Sequence, residues 1–312
     1  MVNSNLAFVF PGQGSQKIGM LAELASSNPL VESTFAEASE ALGYDLWAMI
    51  QQGEQEQINL TERTQPMLLA SSVAIWRLWN DKEGPSPAQM AGHSLGEWSA
   101  LVCAGALEFV DAIKIVRARG AYMQEAVPVG VGAMAAILGL ADQIIIDACN
   151  EARGADVVDA VNYNAPGQVV IAGSAAAVDR AIDLCKAAGA KRAMALPVSA
   201  PFHTSLMQPA AEQLAELVNN TSFSSPKIPV IHNVNAKAES DPVAIKALML
   251  EQIYKPVLWV DCIQALKQGG AELFVECGPG RVLNGLTKRI DRDLTSLSSD
   301  DVASLENALT SV

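Results

Sequence analysis

The 312-residue chain has few cysteines and no long apolar run. The cysteines are widely spaced, at Cys103, Cys149, Cys185, Cys262 and Cys277. No two of them have the spacing of a metal site, and their odd number argues against a disulfide framework. No apolar stretch is long enough to cross a membrane, and the first residues lack the basic and apolar segments of a secretory signal. We therefore expect a cytoplasmic protein that binds no metal.

Positive charge is also scarce. The chain has 21 Lys and Arg against 34 Asp and Glu, which gives a formal net charge of −13. This balance argues against nucleic acid or a membrane surface as the general partner, because both are anionic. An acidic partner would have to meet a local basic patch. Half of the residues are hydrophobic and 18% are charged, as in a compact globular protein of one large or two modest domains.

The glycine-rich loop at Pro11–Gln16 lacks the spacing of a nucleotide site. It follows the apolar run Leu6–Phe10, which predicts a buried parallel strand. Neither the dinucleotide fingerprint nor the lysine of a P-loop is present. The alternative use of such a loop is to bring backbone amides and the Gln13 side chain close to a reacting carbonyl.

The segment Gly92–Gly96 fits the pattern Gly-x-Ser-x-Gly. An apolar run precedes it and helical spacing follows it, so strand, tight turn and helix predict a nucleophile elbow with Ser94 at its tip. Leu95 would begin the helix, where a free amide and the helix dipole favour negative charge. The alternative is a glycine-rich turn with an uninvolved serine.

Only three histidines could activate this serine. His93 directly precedes Ser94, so the elbow geometry should point its side chain away from the serine. His232 ends an apolar strand, which is typical of a histidine in the core. His203 follows a proline-containing loop at a predicted boundary, where clefts form, and is the best candidate for the base. Its alternative is an exposed histidine at a helix start. No acid is well placed to orient it, so a backbone carbonyl or an amide could do so.

Arg119 lies on a predicted helix over Glu108–Ala126 whose other face is apolar. A guanidinium matches a carboxylate with two parallel hydrogen bonds, so in a cleft it would select an acyl group with a free carboxylate. From the residues alone a surface ion pair is the favoured role, since that describes most arginines.

The predicted fold class is α/β, with an insertion. Between residues 129 and 198 the order strand, helix, strand, strand, helix, strand matches a ferredoxin-like unit. Residues 1–128 and 199–312 would form an α/β-hydrolase-like domain with a parallel sheet and the elbow. The tail after Asp291 is polar and predicts only a short helix.

Several motifs together resemble the malonyl-CoA:acyl carrier protein transacylase family of bacterial fatty acid synthesis. They are Gly12–Gln16, Gly92–Glu97, Arg119–Met123, Pro201–His203 and Gly278–Gly280. The resemblance extends over nearly the whole chain. It implies a ping-pong transfer of malonyl from coenzyme A, through a malonyl–serine ester, to the phosphopantetheine thiol of acyl carrier protein.

The resemblance also implies roles for individual residues. Ser94 would be the nucleophile and His203 the base, while the amides of Gln13 and Leu95 form the oxyanion hole. Arg119 would hold the malonyl carboxylate, with Gln65 and Phe202 in the substrate site and the bulk of Phe202 disfavouring an α-methyl branch. A backbone carbonyl, assigned to Lys255, would orient the histidine. The basic pairs proposed for carrier docking are Lys191 with Arg192 and Lys288 with Arg289.

We expect a monomer with no permanently bound cofactor. Three alternative functions stay open. They are a serine thioesterase or hydrolase, a transacylase of a polyketide or polyunsaturated fatty acid pathway, and a catalytically silent carrier-binding module.

Overall fold

The structure is a computed structural model that describes residues 2–198 and 200–312. The strands are β1 (Val2–Phe10), β2 (Ser86–Gly92), β3 (Gly132–Leu138), β4 (Val158–Ala165), β5 (Gln168–Ser174), β6 (Arg192–Ala195), β7 (Val230–Ile231), β8 (Leu273–Glu276) and β9 (Thr295–Ser298). The helices are α1 (Ala22–Ser27), α2 (Leu30–Leu42), α3 (Leu46–Gln52), α4 (Gln55–Ile58), α5 (Thr61–Asp81), α6 (Leu95–Cys103), α7 (Phe109–Glu125), α8 (Asp142–Arg153), α9 (Ala175–Ala187), α10 (Gln208–Asn220), α11 (Pro242–Glu251), α12 (Trp259–Gln268), α13 (Val282–Ile290) and α14 (Val302–Ser311).

The larger sheet is parallel, with the strand order β7-β2-β1-β8-β9. Its central strand β1 contains the predicted apolar run, and every residue from Leu6 to Phe10 is fully buried. A strand with covered neighbours on both edges and helices on both faces needs apolar residues at every position rather than alternate ones. The predicted strand is confirmed, and it begins at Val2, four residues earlier, where the side chains are more exposed.

The edge strand β9 was not predicted. It lies in the polar tail, pairs only with β8 and has the short sequence Thr-Ser-Leu-Ser. Such a strand is stabilised by main-chain pairing along one side and needs little apolar surface, so periodicity does not reveal it.

The smaller sheet is antiparallel, with the order β4-β5-β3-β6, and α8 and α9 pack together over one face. Counted along the chain, the strand order is 2-3-1-4, which is the ferredoxin-like arrangement. The predicted α/β class, with a parallel sheet and a ferredoxin-like unit, is therefore confirmed. The last strand of this unit ends at Ala195 rather than Val198, and Ser199 lies outside the described residues.

The two sheets meet beside the carboxyl end of the parallel sheet. Backbone hydrogen bonds join β4 to the segment after α11: the Tyr163 amide donates to the Val257 carbonyl at 3.0 Å, and the Val257 amide donates to the Val161 carbonyl at 2.8 Å. A cleft lies between β3, β4 and the ends of β1 and β2. Within residues 2–198 and 200–312, no helix is both long and apolar enough to span a bilayer.

Candidate active site

Ser94 stands at a sharp turn between β2 and α6. Its φ of 50° is unusual for a residue with a side chain. The turn closes because glycines allow main chains to touch. A Cβ on Gly92 would lie 1.9 Å from the Gly96 carbonyl carbon, and one on Gly96 would lie 2.0 Å from the Phe10 oxygen. The predicted strand–turn–helix elbow is present.

Side chains from distant segments hold the main chain of Ser94 in this conformation. Its amide donates to Asn233 Oδ1 at 2.8 Å, and its carbonyl accepts from Gln252 Nε2 at 2.9 Å. Asn233 Nδ2 also donates to the Gly92 carbonyl at 2.7 Å. Because a strained φ persists only where the surroundings fix it, these bonds explain why the serine keeps its position at the tip of the turn.

His203 lies beside the serine, with 2.9 Å between Nε2 and Ser94 Oγ. Its Nδ1 is 2.8 Å from the Gln252 carbonyl oxygen. A carbonyl can only accept, so the proton of the neutral ring sits on Nδ1, and Nε2 is left as an acceptor for the serine hydroxyl. The arrangement is a serine–histidine pair with a carbonyl in the position of the usual acid.

The electrostatics keep this ring neutral. Burial, together with the nearby charge of Arg119, lowers the pKa of His203 to about 3. Both effects disfavour the imidazolium, and the carbonyl of Gln252 opposes them only in part. The ring is therefore free to accept a proton at neutral pH.

Arg119 projects from α7 into the same site and is 1% exposed. Its guanidinium donates to Gln65 Oε1 at 2.8 Å, Gln252 Oε1 at 2.9 Å and Ser94 Oγ at 3.2 Å. The Nε atom is buried without a partner. Among residues 2–198 and 200–312, no Asp or Glu side chain forms an ion pair with it.

The surface ion pair favoured from the residues alone is therefore wrong for Arg119 and describes Arg117 instead. Arg117 is half-exposed, 3.6 Å from the Glu62 carboxylate. Burial lowers the pKa of Arg119 to about 10, so the side chain is still cationic at neutral pH. A buried cation without a carboxylate in direct contact is costly, and the arrangement is suited to receiving an anion.

The cleft around Ser94 has about 600 Å³ of empty space, part of it open to solvent. Gln13, Leu95, Gln65 and Phe202 all line it. Within the described part of the chain, the amides of Gln13 and Leu95 donate to no protein acceptor. Two unpaired amides beside a nucleophile can stabilise an oxyanion.

The two other histidines have structural partners. His93 Nε2 is 2.8 Å from Asn164 Oδ1, as expected of a ring that does not serve Ser94, although the ring does line the cleft. His232 is fully buried, and its Nδ1 is 2.7 Å from Glu97 Oε1. The prediction of a core histidine is correct.

The carbonyl expected to orient the base was assigned to Lys255. The backbone of Lys255 does act on His203 and raises its pKa, but the backbone of Gln252 has the larger effect and makes the 2.8 Å hydrogen bond. The carbonyl that accepts from His203 Nδ1 belongs to Gln252, three residues earlier. Helix α11 ends at Glu251, so the next carbonyl has no helical partner and is free to accept. The Lys255 side chain is instead paired with Glu251 at 2.7 Å. Pro256 was the available signal, because it implies a helix end with unpaired carbonyls just upstream.

The two basic pairs lie at one end of the small sheet. Arg192 pairs with Leu138, and Leu138 pairs with Gln168, so Arg192 and Gln168 are about 10 Å apart across three strands. The Gln168 side chain contacts Arg289. All four basic residues, Lys191, Arg192, Lys288 and Arg289, are exposed.

A second cleft runs from Gln168, the residue that contacts Arg289, toward the serine. It has about 760 Å³ of empty space and is lined by Gln168, Leu286 and Val282. Gln13 and Leu196 line both clefts, so the two adjoin.

Comparison with known proteins identifies the family. A model of the acyl transferase domain matches residues 7–304. The chain is 55% identical over 307 residues to the malonyl CoA-acyl carrier protein transacylase of Salmonella typhimurium, covering 98% of this chain and 99% of the relative. The chain belongs to the malonyl-CoA–acyl carrier protein transacylase family.

Solved structures of family members have the same fold. An acyl carrier protein S-malonyltransferase from Vibrio cholerae superposes with a TM-score of 0.96 at 56% identity, covering 97% of this chain and 99% of that one. A malonyl-transacylase solved in complex with its type II polyketide acyl carrier protein gives a TM-score of 0.98 at 54% identity. The match covers 99% of this chain and 100% of that one. The chain is thus an acyltransferase, and the sequence-predicted Ser94, His203 and Arg119 meet in its cleft.

Proposed function

We propose that this protein transfers malonyl from coenzyme A to the phosphopantetheine thiol of an acyl carrier protein in fatty acid synthesis. The observation that carries the proposal is Arg119, a buried cation without a carboxylate partner, with a guanidinium nitrogen 3.2 Å from Ser94 Oγ. By ordinary bond lengths, the free carboxylate of a malonyl–serine ester lies about 4 Å from the ester oxygen. That distance brings it within reach of Arg119.

In the first half of the reaction Ser94 attacks the thioester carbonyl while His203 Nε2 takes its proton. The tetrahedral oxyanion is stabilised by the amides of Gln13 and Leu95. The carbon–sulfur bond then breaks, the coenzyme A sulfur leaves with the proton from His203, and a malonyl–serine ester remains. Gln65 supports this step by holding Arg119 at 2.8 Å.

In the second half the carrier's thiol gives its proton to His203 and its sulfur attacks the ester. A new thioester forms, the Ser94 oxygen leaves, and it regains the proton from His203. Phe202, buried beside the base, limits the space available to an α-methyl branch. We propose no permanently bound cofactor for this cycle, since serine and histidine supply both the nucleophile and the proton transfers.

We propose that the carrier docks on Lys191, Arg192, Lys288 and Arg289. Their exposure supports this, as does the contact of Arg289 with Gln168, which lines the second cleft. A phosphopantetheine arm entering beside Gln168 would pass Gln13 to reach Ser94. We also propose a cytoplasmic monomer. Residues 129–198 would form a subdomain inserted into the domain made of residues 1–128 and 199–312; the separate apolar core of the small sheet supports this division.

A second candidate differs only in the carrier. The relative solved with a type II polyketide carrier, at 54% identity, is about as similar to this chain as the Salmonella typhimurium transacylase, at 55%. A polyketide carrier is therefore the alternative acceptor, and rates with purified carriers of each kind distinguish the two.

Intact mass after mixing with malonyl-CoA alone tests the chemistry. We expect a stable malonyl adduct on the wild type, none on Ser94→Ala and a strong reduction with Arg119→Ala. Unmodified wild type with rapid release of coenzyme A would indicate a hydrolase. Unmodified protein without release would contradict the proposal.

A further inference from the structure

A buried carboxyl group lies behind the elbow and takes no part in the reaction described above. Glu97 is in the first turn of α6 and is fully buried. Three donors surround it: His232 Nδ1 at 2.7 Å, the Asn233 amide at 3.1 Å and Gln252 Nε2 at 2.6 Å. The first two fix the carboxyl group, and the third, Gln252, links it to Arg119 and the base.

The carboxyl group, together with the Ser94 carbonyl and Arg119, fixes which way the amide of Gln252 points. Nε2 donates both to Glu97 Oε2 and to the Ser94 carbonyl, while Oε1 accepts from the Arg119 guanidinium at 2.9 Å. The reversed amide would set its oxygen against two acceptor oxygens and its NH2 against a guanidinium, which is donor-only. With Glu97 in place, only one orientation satisfies every partner.

The same residue also contacts the base. The Gln252 backbone carbonyl accepts from His203 Nδ1 at 2.8 Å, and the whole residue is buried. A single residue thus joins Glu97 on one side to the guanidinium, the base and the serine on the other. The Glu97 side chain touches none of the reacting atoms. It reaches Arg119 and the base through Gln252, whereas its contact with Asn233 leads only to the main chain of the elbow. A change of the elbow would affect every acyl group alike.

Charge supports the same arrangement. Arg119 has no carboxylate in contact, and burial lowers its pKa. Glu97 is the nearby negative charge that opposes this lowering, from the far side of the Gln252 amide. It therefore stabilises the cation without occupying the face of the guanidinium that an incoming carboxylate would use.

We propose that Glu97 is a positioning residue for specificity, which fixes the Gln252 amide so that its oxygen holds Arg119 beside Ser94 for acyl groups with a free carboxylate. This inference rests on the proposed malonyl transfer. Acetyl groups have no carboxylate for Arg119 to bind. Loss of Glu97 should therefore affect malonyl transfer more than acetyl transfer.

The test compares Glu97→Ala, Glu97→Gln and the control Thr34→Val by rates of acyl-enzyme formation with malonyl-CoA and acetyl-CoA. Thr34 is likewise fully buried and hydrogen-bonded, to Leu30 and Arg77, but is remote from the cleft. We expect the malonyl-to-acetyl ratio to fall about tenfold in Glu97→Ala and about threefold in the isosteric Glu97→Gln, and to stay unchanged in the control. Equal losses for both substrates, or an unchanged ratio in folded Glu97→Gln, would overturn the inference.

Crystal structures of the same variants provide a readout that is independent of activity. We expect the Arg119–Gln252 hydrogen bond to be lost in Glu97→Ala and kept in Thr34→Val. If Glu97→Ala fails to fold, the malonyl-to-acetyl rate ratio of Glu97→Gln tests the inference instead. If wild type gives no malonyl adduct, the proposed function fails, and the crystal structures still test whether Glu97 positions Arg119.

Discussion

The two sheets of this protein differ in what they bury. Every buried polar or charged side chain in the described part of the chain lies outside residues 129–198. The core of the small unit consists only of Ala, Val, Ile, Leu and Cys side chains. Around the elbow, by contrast, Glu97, Asn233 and Gln252 are fully buried and hydrogen-bonded to one another or to Ser94.

The difference shows where orientation matters. A buried polar group is costly unless it is fully hydrogen-bonded, but once satisfied it fixes direction in a way that apolar packing does not. The parallel-sheet region needs fixed directions, since in the proposed reaction a proton passes from Ser94 to His203. The antiparallel region contributes a cleft wall and two exposed basic residues, for which shape and charge are sufficient.

The sharpest test of this contrast between the two regions replaces one glycine in each of them with alanine. Gly92→Ala would place a Cβ 1.9 Å from the Gly96 carbonyl carbon, so the elbow must open. We expect malonyl adduct formation to fall by at least about 100-fold, because displacements near 1 Å have that effect. Gly167→Ala, in the turn after β4, meets nothing closer than 3.6 Å, although its φ of 71° is unfavourable for alanine. Its adduct rate should stay within about threefold, and an equal loss in both variants would contradict the contrast.

A smaller effect is expected from the two walls of the cleft. Phe202 precedes the base, while Met134 comes from β3 on the small sheet, and both line the cleft. We expect Phe202→Ala to raise the rate with methylmalonyl-CoA relative to malonyl-CoA by about tenfold, because rejecting one methyl by packing has a factor of that order. Met134→Ala should change the ratio by less than about threefold. A larger change in the ratio from Met134→Ala would show that the small sheet, rather than Phe202, selects the acyl group.

Charge reversal at the basic pairs should affect only the second half of the reaction. With Lys191, Arg192, Lys288 and Arg289 changed to Glu, we expect KM for the carrier to rise about tenfold and KM for malonyl-CoA to stay the same. Arg153→Glu with Arg180→Glu is the control, since both arginines are on the small unit and already ion-paired. Equal increases for both substrates would refute the docking surface.

The smallest predicted effect concerns pH. Burial lowers the pKa of His203 to about 3, so the base stays neutral as pH falls below the usual histidine value of 6.5. The single-turnover rate of adduct formation should therefore change less than about threefold between pH 8 and pH 5.5. An acid limb with its midpoint near 6.5 would show that the ring is more solvated than the structure indicates.

Local patterns in the sequence predicted the strands and the turn that position the site. The apolar run Leu6–Phe10, the two glycines around Ser94 and the order of elements before residue 198 each reflect a steric requirement within a few residues. The residues alone made His203 the best candidate for the base, and the resemblance assigned Arg119 to the acyl carboxylate. The structure brings both side chains to the serine.

Contacts that depend on tertiary geometry were not predictable in the same way. Asn233 and Gln252 reach Ser94 from 139 and 158 residues away, and neither stands in a distinctive local pattern. Arg119 was assigned by its residues alone to a surface ion pair, because periodicity does not show whether the polar face of a helix meets solvent or a cleft. Strand β9 escaped detection since its stability comes from pairing with β8.

The order of these contacts along the chain has a consequence for synthesis. A ribosome that has made the first 200 residues has made the nucleophile, but neither its base nor the carbonyl that orients the base. The central strand β1 pairs with β8, at residues 273–276, along one of its edges. That edge stays unpaired until these residues have been synthesised. If Ser94 and His203 act as proposed, a nascent chain carries its serine without the means to cleave thioesters, and reactivity appears only when nearly the whole polypeptide has emerged and folded.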